Sequence, residues 1–233
     1  MEINLEQIKE KIERRIKNRL KKIDWDVFGL YEFYIAGNSI NIKKPNDYDL
    51  FPVNERDFER TKDLKFSDTS YVVTSTKNAL TIKHRNKIIQ FCNYHFDSLE
   101  KLVESFDFSH IKIGAKISIS NGEVFIIEIY ISPDYIESQV VGRTWFTGSS
   151  YPLSSLMRLF KYYKKEDGVF QQQFIYESIK ILNQIMQRGF EDYEDFRDQL
   201  DAVDLGLVPG DFEELAKNTD VLLKLYNLLK GSK

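Results

Sequence analysis

The chain of 233 residues is poor in the residues that staple small proteins or build soft metal sites: it has one cysteine, Cys92, and three histidines, His84, His95 and His110. One thiol cannot close an internal disulfide or build a cysteine-held zinc site, and three histidines without a close pair do not supply a histidine-held one. Any metal here falls to carboxylates. No apolar run approaches the roughly 18 to 20 residues of a membrane-spanning helix, and the N-terminus is charged and amphipathic, without a signal-peptide core. The expectation is a cytoplasmic protein with no membrane partner. Charge of one sign is also missing: 33 Lys and Arg face 36 Asp and Glu, a net charge of −3. That excludes coating of nucleic acid by bulk electrostatics, which needs a basic face that releases counterions; local basic patches stay open.

What is present is a globular composition, 42% hydrophobic and 14% aromatic, enough to bury a core as one domain or as a domain plus an appendage. Leu5, Ile8, Ile12, Ile16, Leu20 and Ile23 recur every three or four residues, the stripe of an amphipathic helix. The other face carries Lys9, Lys11, Arg14, Arg15, Lys17, Arg19, Lys21 and Lys22 with Glu6, Glu10 and Glu13 interleaved, which reads as a solvated face with i,i+4 pairs, contact with a phosphate being the sharper alternative. After Trp25 come short β-branched and aromatic segments: 32–36, 48–53, 71–75, 79–83, 87–92, 109–118 and 123–131. Helices are expected at 55–64 and 98–106. Asn121-Gly122 supplies the positive φ angles of a tight hairpin. From Pro133 helical spacing takes over, in Leu153, Leu156, Met157 and Phe160, in Phe174, Ile175, Ile179, Leu182 and Ile185, and in a closing segment from Leu205 through Phe212 and Leu215 to Leu228. The pattern predicts an α+β fold in which a mixed, twisted sheet with flanking helices (1–132) precedes a helical C-terminal part (133–233), with a soft boundary over 133–151. The helices are expected on one face of the sheet and the pair Asp47/Asp49 near its edge.

That pair is the chemical signal. Acid-x-acid pairs arise by chance at roughly 1 to 2% of positions, and Asp24-Trp25-Asp26 has the same spacing without context. Asp47-Tyr48-Asp49 differs because a strand, Phe33 to Ala36, runs into Gly37-Asn38-Ser39 and a short segment before a second strand that bears the acids. Alternation points Asp47 and Asp49 to one face. Two carboxylates there can share magnesium ions, which prefer oxygen ligands, and a Gly-Asn-Ser turn brings backbone N–H and hydroxyl donors close to phosphates.

The stretch "AGNSINIKKPNDYDLF" resembles the signature of the nucleotidyltransferase superfold, shared by DNA polymerase beta and the CCA-adding enzymes. Its parts are a small turn, about ten residues, and Asp-x-Asp on the next strand. "STKNALTIKHRNKIIQFC", "LEKLVESFDFSHIKIGA" and "YPLSSLMRLFKYYKK" resemble consecutive segments of predicted nucleotidyltransferases of tailed phages and prophages. Together these span about 34–165. The resemblance implies transfer of an NMP from an NTP to an unidentified acceptor, RNA, protein or small molecule, with release of pyrophosphate. It implies Mg2+ or Mn2+ at Asp47 and Asp49, and triphosphate contact at Gly37, Asn38 and Ser39. Asn38 stands where a second glycine or serine is usual, and Asn41 where many relatives place arginine. Asp107, in a position like the Asp-Phe-Thr of CCA-adding enzymes, is the expected third catalytic and metal-binding carboxylate, with Glu128 the runner-up. The parity of Ile111, Ile113, Ala115 and Ile117 puts Asp107 on the apolar face of its strand, so it reaches the site at the strand entry or across a bulge.

Other residues carry two readings. Lys112 and Lys116 are either solvated on the polar face of their strand or in contact with phosphate, and His110 reads as a strand residue. Arg158, Lys161 and Lys164 lie along one side of a helix, either as a solvated basic edge or as one wall of a substrate-binding cleft whose other wall is the open sheet face. A reading of a different class also stays open: a catalytically silent nucleotidyltransferase-like module that binds or assembles in a phage particle or a defence system. Asn38, Asn41 and the third acid favour it. A third carboxylate within metal-sharing distance of the pair discriminates the two.

Overall fold

The computed structural model describes all residues except 1–4, 26–27, 29–30, 42–44, 46, 63–69, 76–77, 165–170, 202–218 and 231–233. The described elements are α1 (Leu5–Leu20), β1 (Glu32–Ala36), α2 (Asn38–Asn41), β2 (Asp47–Pro52), α3 (Glu55–Lys62), β3 (Ser70–Ser75), β4 (Ala79–His84), β5 (Lys87–Cys92), α4 (Leu99–Glu104), β6 (Ile113–Ser120), β7 (Glu123–Ile131), α5 (Pro133–Val141), α6 (Pro152–Lys164), α7 (Gln171–Arg188), α8 (Tyr193–Asp201) and α9 (Thr219–Lys230). They form two compact units, Met1–Thr144 and Trp145–Lys233. α5 goes with the first unit: Tyr135 lies in its core and donates a hydrogen bond to Asn41 Oδ1 at 3.0 Å.

The first unit is built on a seven-stranded sheet in the order β3-β4-β5-β2-β1-β6-β7. β2 and β5 run parallel and every other pair antiparallel, so the sheet is mixed. β2 is therefore central, not at the edge expected from the sequence. Seven strands in this order place three beyond β2 on each side, and an interior strand has both ladders to hold its register.

Alternation sorts the side chains onto two faces. On one, Phe33, Ile35, Leu50, Ile82, Ile89, Phe91 and Ile117 pack against Ile12, Ile16 and Leu20 of α1 and Phe58 of α3. Full burial of each such side chain stabilises by about 1.5–3 kcal/mol. The four-residue spacing of Ile12, Ile16 and Leu20 keeps them on one stripe of α1, and Trp25 finishes that helix by donating Nε1–H to the Leu20 carbonyl at 3.0 Å while its ring stacks on Phe33. On the other face Tyr34, Ala36, Phe51 and Cys92 meet Leu99, Leu102 and Val103 of α4. Helices thus flank both faces, not one. Gly114 permits this approach: a Cβ there would lie 2.7 Å from Val103 Cγ2 and 2.8 Å from Leu99 Cδ1.

Two local outcomes differ from the sequence reading. Residues 109–111 do not begin a strand; they form a 3-10 turn in which Ile111 and Lys112 donate to the carbonyls of Phe108 and Ser109, and β6 starts at Ile113. Three-residue spacing lets Phe108 and Ile111 both bury, which a strand's alternation would not. The hairpin joining β6 to β7 turns as expected on Asn121 (φ 52°) and Gly122 (φ 75°). In the second unit the described elements are helical, and Phe190, Tyr193, Phe196 and Tyr226 form an aromatic cluster. Arg188 grips Asp195 through two parallel bonds of 2.8 and 3.0 Å. The closing residues Leu205, Leu207, Phe212 and Leu215 lie outside the described residues.

Candidate metal and phosphate site

Asp47 and Asp49 are half-buried on β2, alternating with buried Tyr48 and Leu50. Their register partners on β5 are Ile88 and Gln90, so Gln90 stands directly beside Asp49. Cys92, further along the same face of β5, has its thiol pushed well above the ordinary range, first by burial and then by the charges of Asp49 and Asp47. Both carboxylates are therefore close enough for one thiol to feel them. Ala36, at the end of β1, leads into Gly37, whose φ of +66° is the left-handed conformation that glycine adopts without a Cβ penalty.

The turn that follows is tighter than a loop. Gly37 donates its N–H to the Ile113 carbonyl at 2.9 Å, and its own carbonyl accepts from Ile40 and Asn41, both at 3.0 Å, which winds residues 38–41 into α2. Asn38 is half-buried at the start of that turn, where the first N–H groups have no residue four earlier in the helix to accept them. Ser39 is only 1% exposed, and its Oγ accepts the backbone N–H of Asp49 at 2.8 Å. The hydroxyl that the sequence assigns to phosphate thus fastens the turn to the carboxylate strand.

The carbonyl end of α2 is held by the basic helix. Arg15 Nη1 donates to the carbonyls of Ile40 (2.9 Å) and Asn41 (2.5 Å). Arg19 Nη1 donates to those of Ser39 and Ile40. Burial and the neighbouring Arg15 lower the pKa of Arg19. Lys87 of β5 donates to the Arg19 carbonyl at 2.8 Å and lies over the Tyr48 ring. Arg15 and Arg19 read in the sequence as part of a solvated face. Their i,i+4 spacing was visible; that their partners would be main-chain carbonyls of a four-residue helix was not. Lys9 and Lys17 do sit in surface ion pairs, with Glu6 and Glu13.

The remaining expected residues are elsewhere engaged or unplaced. Asp107 is 3% exposed and precedes the 3-10 turn, so the strand-parity argument does not apply to it; its charge acts on His110, which burial drives down to a pKa of about 4. His110 Nδ1 meets Thr144 Oγ1. Lys112 is 5% exposed, and its ammonium is held by Glu104 at 2.8 Å and Asp134 at 3.3 Å, tying α4 to α5. Lys116 pairs with Glu32 at 3.3 Å, and Glu128 is its register partner on β7. Arg158 is half-buried on α6. Lys161 and Lys164 fall within α6, with their side chains outside the described residues.

Among the described residues, no group of three His, Cys, Asp or Glu side chains could hold a metal ion. Two carboxylates remain, on one face and close together. A pair of hard oxygen donors fits Mg2+ or Mn2+ as magnesium is usually bound, by one or two carboxylates with water and substrate phosphate completing the shell. It suits zinc or iron less well, which are usually held with nitrogen or sulfur donors in the set.

Comparison with known proteins places the chain. Residues 7–140 match the Gabija anti-defense 2 family, Gad2. The match covers more than half of the chain, and the protein belongs to that family. No curated protein matches. Similar solved structures include a Thermotoga maritima CCA-adding enzyme complexed with tRNA, at 11% identity over 88% of this chain and 50% of that one, with a TM-score of 0.45. A tRNA-processing enzyme in an apo form gives 16% identity, 99% and 64% coverage and a TM-score of 0.46. A CCA-adding enzyme in a second apo form gives 11% identity, 95% and 55% coverage and a TM-score of 0.47. The chain spans less than two thirds of each. No described helix is long and apolar enough to cross a membrane.

Proposed function

We propose that this anti-defense protein binds an NTP with Mg2+ or Mn2+ and transfers the NMP to an acceptor, with release of pyrophosphate. The observation that carries the reading is the unit formed by the Gly37 turn and β2: Asp47 and Asp49 share one face, and the bond from the Asp49 N–H to Ser39 Oγ ties the main chain of the second aspartate to the turn that would approach the phosphates. Asp47 and Asp49 would hold the metal, which supplies charge neutralisation at the phosphates when bound. Asn38 would present its backbone N–H to phosphate oxygens, and Gly37, whose own N–H is bonded to the Ile113 carbonyl, would let the main chain approach them closely. With this division of labour the protein's contribution is alignment and electrostatic preorganisation, which is where phosphoryl-transfer enzymes derive most of their rate. The acceptor is unidentified, and the name of the family makes a component of the Gabija system the first one to test.

One observation favours a second reading. The described residues bring no third carboxylate to the pair, as a catalytically silent binding module would tolerate. Calorimetry with each NTP and Mg2+ or Mn2+, on wild type and on Asp47→Asn and Asp49→Asn, tests the first reading. Micromolar binding lost in both variants supports it; no metal-dependent binding by wild type refutes it. Incubation with labelled NTP, RNA and Gabija proteins then separates transfer from silent binding.

A further inference from the structure

The basic face of α1 contains a device that neither charge pairing nor solvation explains. Arg19 donates to the Ser39 and Ile40 carbonyls, and Arg15 to those of Ile40 and Asn41. Ser39 Oγ accepts the Asp49 N–H. Asp49 is registered with Gln90 on β5, and Lys87 of the same strand donates back to the Arg19 carbonyl. The bonds close a circuit: α1 to α2, α2 to β2, β2 to β5, and β5 to α1. Ile12, Ile16 and Leu20 anchor α1 in the core, so its side of the circuit is rigid.

We propose that Arg19, supported by Arg15, is a positioning residue for the carboxylate site: it fixes the carbonyl end of α2 and, through Ser39, the main chain of Asp49. The inference rests on the proposed function for what the positioning serves, though not for the positioning itself. The two arginines do two things here. Each spans two successive carbonyls with the N–H groups of a single planar nitrogen, Nη1. Their charge offsets the partial negative charge that a helical turn gathers at its carbonyl end, close to a strand that already carries two carboxylates and would receive a polyanion. Lys9 and Lys17, on the same helix, form surface pairs and have no such role.

The Asp49 amide is the reporter. Its N–H bonds to Ser39 Oγ, so its hydrogen exchange in the ligand-free protein, read by NMR, measures whether the turn is seated, whatever the catalytic activity. Ser39→Ala is the positive control and Lys17→Ala the negative one; Ala115, on β6, reports the rest of the sheet. In Arg19→Ala we expect Asp49 exchange to accelerate at least tenfold with Ala115 unchanged. Arg19→Lys should show a smaller acceleration, and it serves as the decisive variant if Arg19→Ala does not fold. Where wild type turns over, kcat should fall at least tenfold in Arg19→Ala with KM for the NTP changed less than threefold, and Arg19→Lys should recover part of it. Asp49 exchange unchanged in both Arg19 variants, while Ser39→Ala accelerates it, overturns the positioning role. Exchange that rises equally at Asp49 and Ala115 also overturns it, since Arg19 would then hold the whole fold. Absence of metal-dependent NTP binding in wild type sinks the proposed function instead and leaves the exchange result to decide the clamp.

Discussion

Acidification should destabilise the first unit through His110, and the size of the effect can be worked out. His110 is held neutral by burial, which depresses its pKa from 6.5 to about 4, while the charge of Asp107 acts in the opposite sense. The unfolded chain takes up a proton near pH 6.5; the folded protein does not until about pH 4. Stability is therefore full above pH 6.5 and drains as the pH falls towards 4. At ~1.4 kcal/mol per pH unit, that window is worth roughly 3 kcal/mol. His84, buried with its Nδ1 against Ser70 Oγ at 2.7 Å, is also lowered, first by burial, and contributes with the same sign. The two are separated by His110→Gln, which keeps a polar group for Thr144 but removes the titration. Urea denaturation of both proteins at intervals from pH 7.5 to 4 should give curves that diverge, the wild type losing roughly 3 kcal/mol more than the variant. Parallel curves across that window would refute the assignment of a buried neutral imidazole at His110.

Further expectations concern packing and charge. Gly114→Ala should destabilise by about 1–3 kcal/mol, because its Cβ overlaps Val103 and Leu99 and α4 must lift from the sheet; a denaturation midpoint unchanged from wild type would show that α4 yields freely. Gly37→Ala meets no such overlap, its nearest neighbour being the Phe106 ring at 3.5 Å, so its cost should be about 1 kcal/mol from the positive φ alone. Lys112→Ala leaves Glu104 and Asp134 without their shared partner and, with both carboxylates about a third exposed, should cost about 1–3 kcal/mol in thermal or urea unfolding. Lys9→Glu with Lys17→Glu exchanges two exposed pairs and should change stability by less than about 1 kcal/mol and leave NTP affinity within twofold.

The strands and the carboxylate pair were legible because both rest on local pattern. Alternation through Phe33 to Ala36 and Tyr48 to Val53 marks strands whichever neighbours they find, and it also sets Asp47 and Asp49 on one face. The hairpin was legible because Asn-Gly encodes its own φ angles. What was not legible depends on pairing between distant segments. That β2 is central follows from its neighbours β5 and β1, a choice no residue within β2 records. Ser39 reads as an exposed phosphate ligand until Asp49, ten residues on, claims its hydroxyl. Lys112 and Arg19 look like ordinary surface cations, and their partners are Glu104 and Asp134 in one case and main-chain carbonyls in the other. The strand expected over 109–118 failed at its start because the apolar residues Phe108 and Ile111 fit a three-residue period as well as Ile111, Ile113 and Ala115 fit a two-residue one.

The solitary thiol of Cys92 is buried between the sheet and the α4 layer and is kept protonated by that burial and by the neighbouring aspartates. An aromatic disulfide reagent added to the native protein can therefore react only when that corner of the molecule opens. The chain holds one sulfhydryl, so the colour released is a single-site clock. Its rate at increasing reagent concentration gives first the opening equilibrium and then the opening rate of the wall behind the carboxylates. A metal ion or nucleotide seated on Asp47 and Asp49 would slow the clock without touching the sulfur, which makes this residue a stopwatch for occupancy in a protein whose acceptor has yet to be supplied.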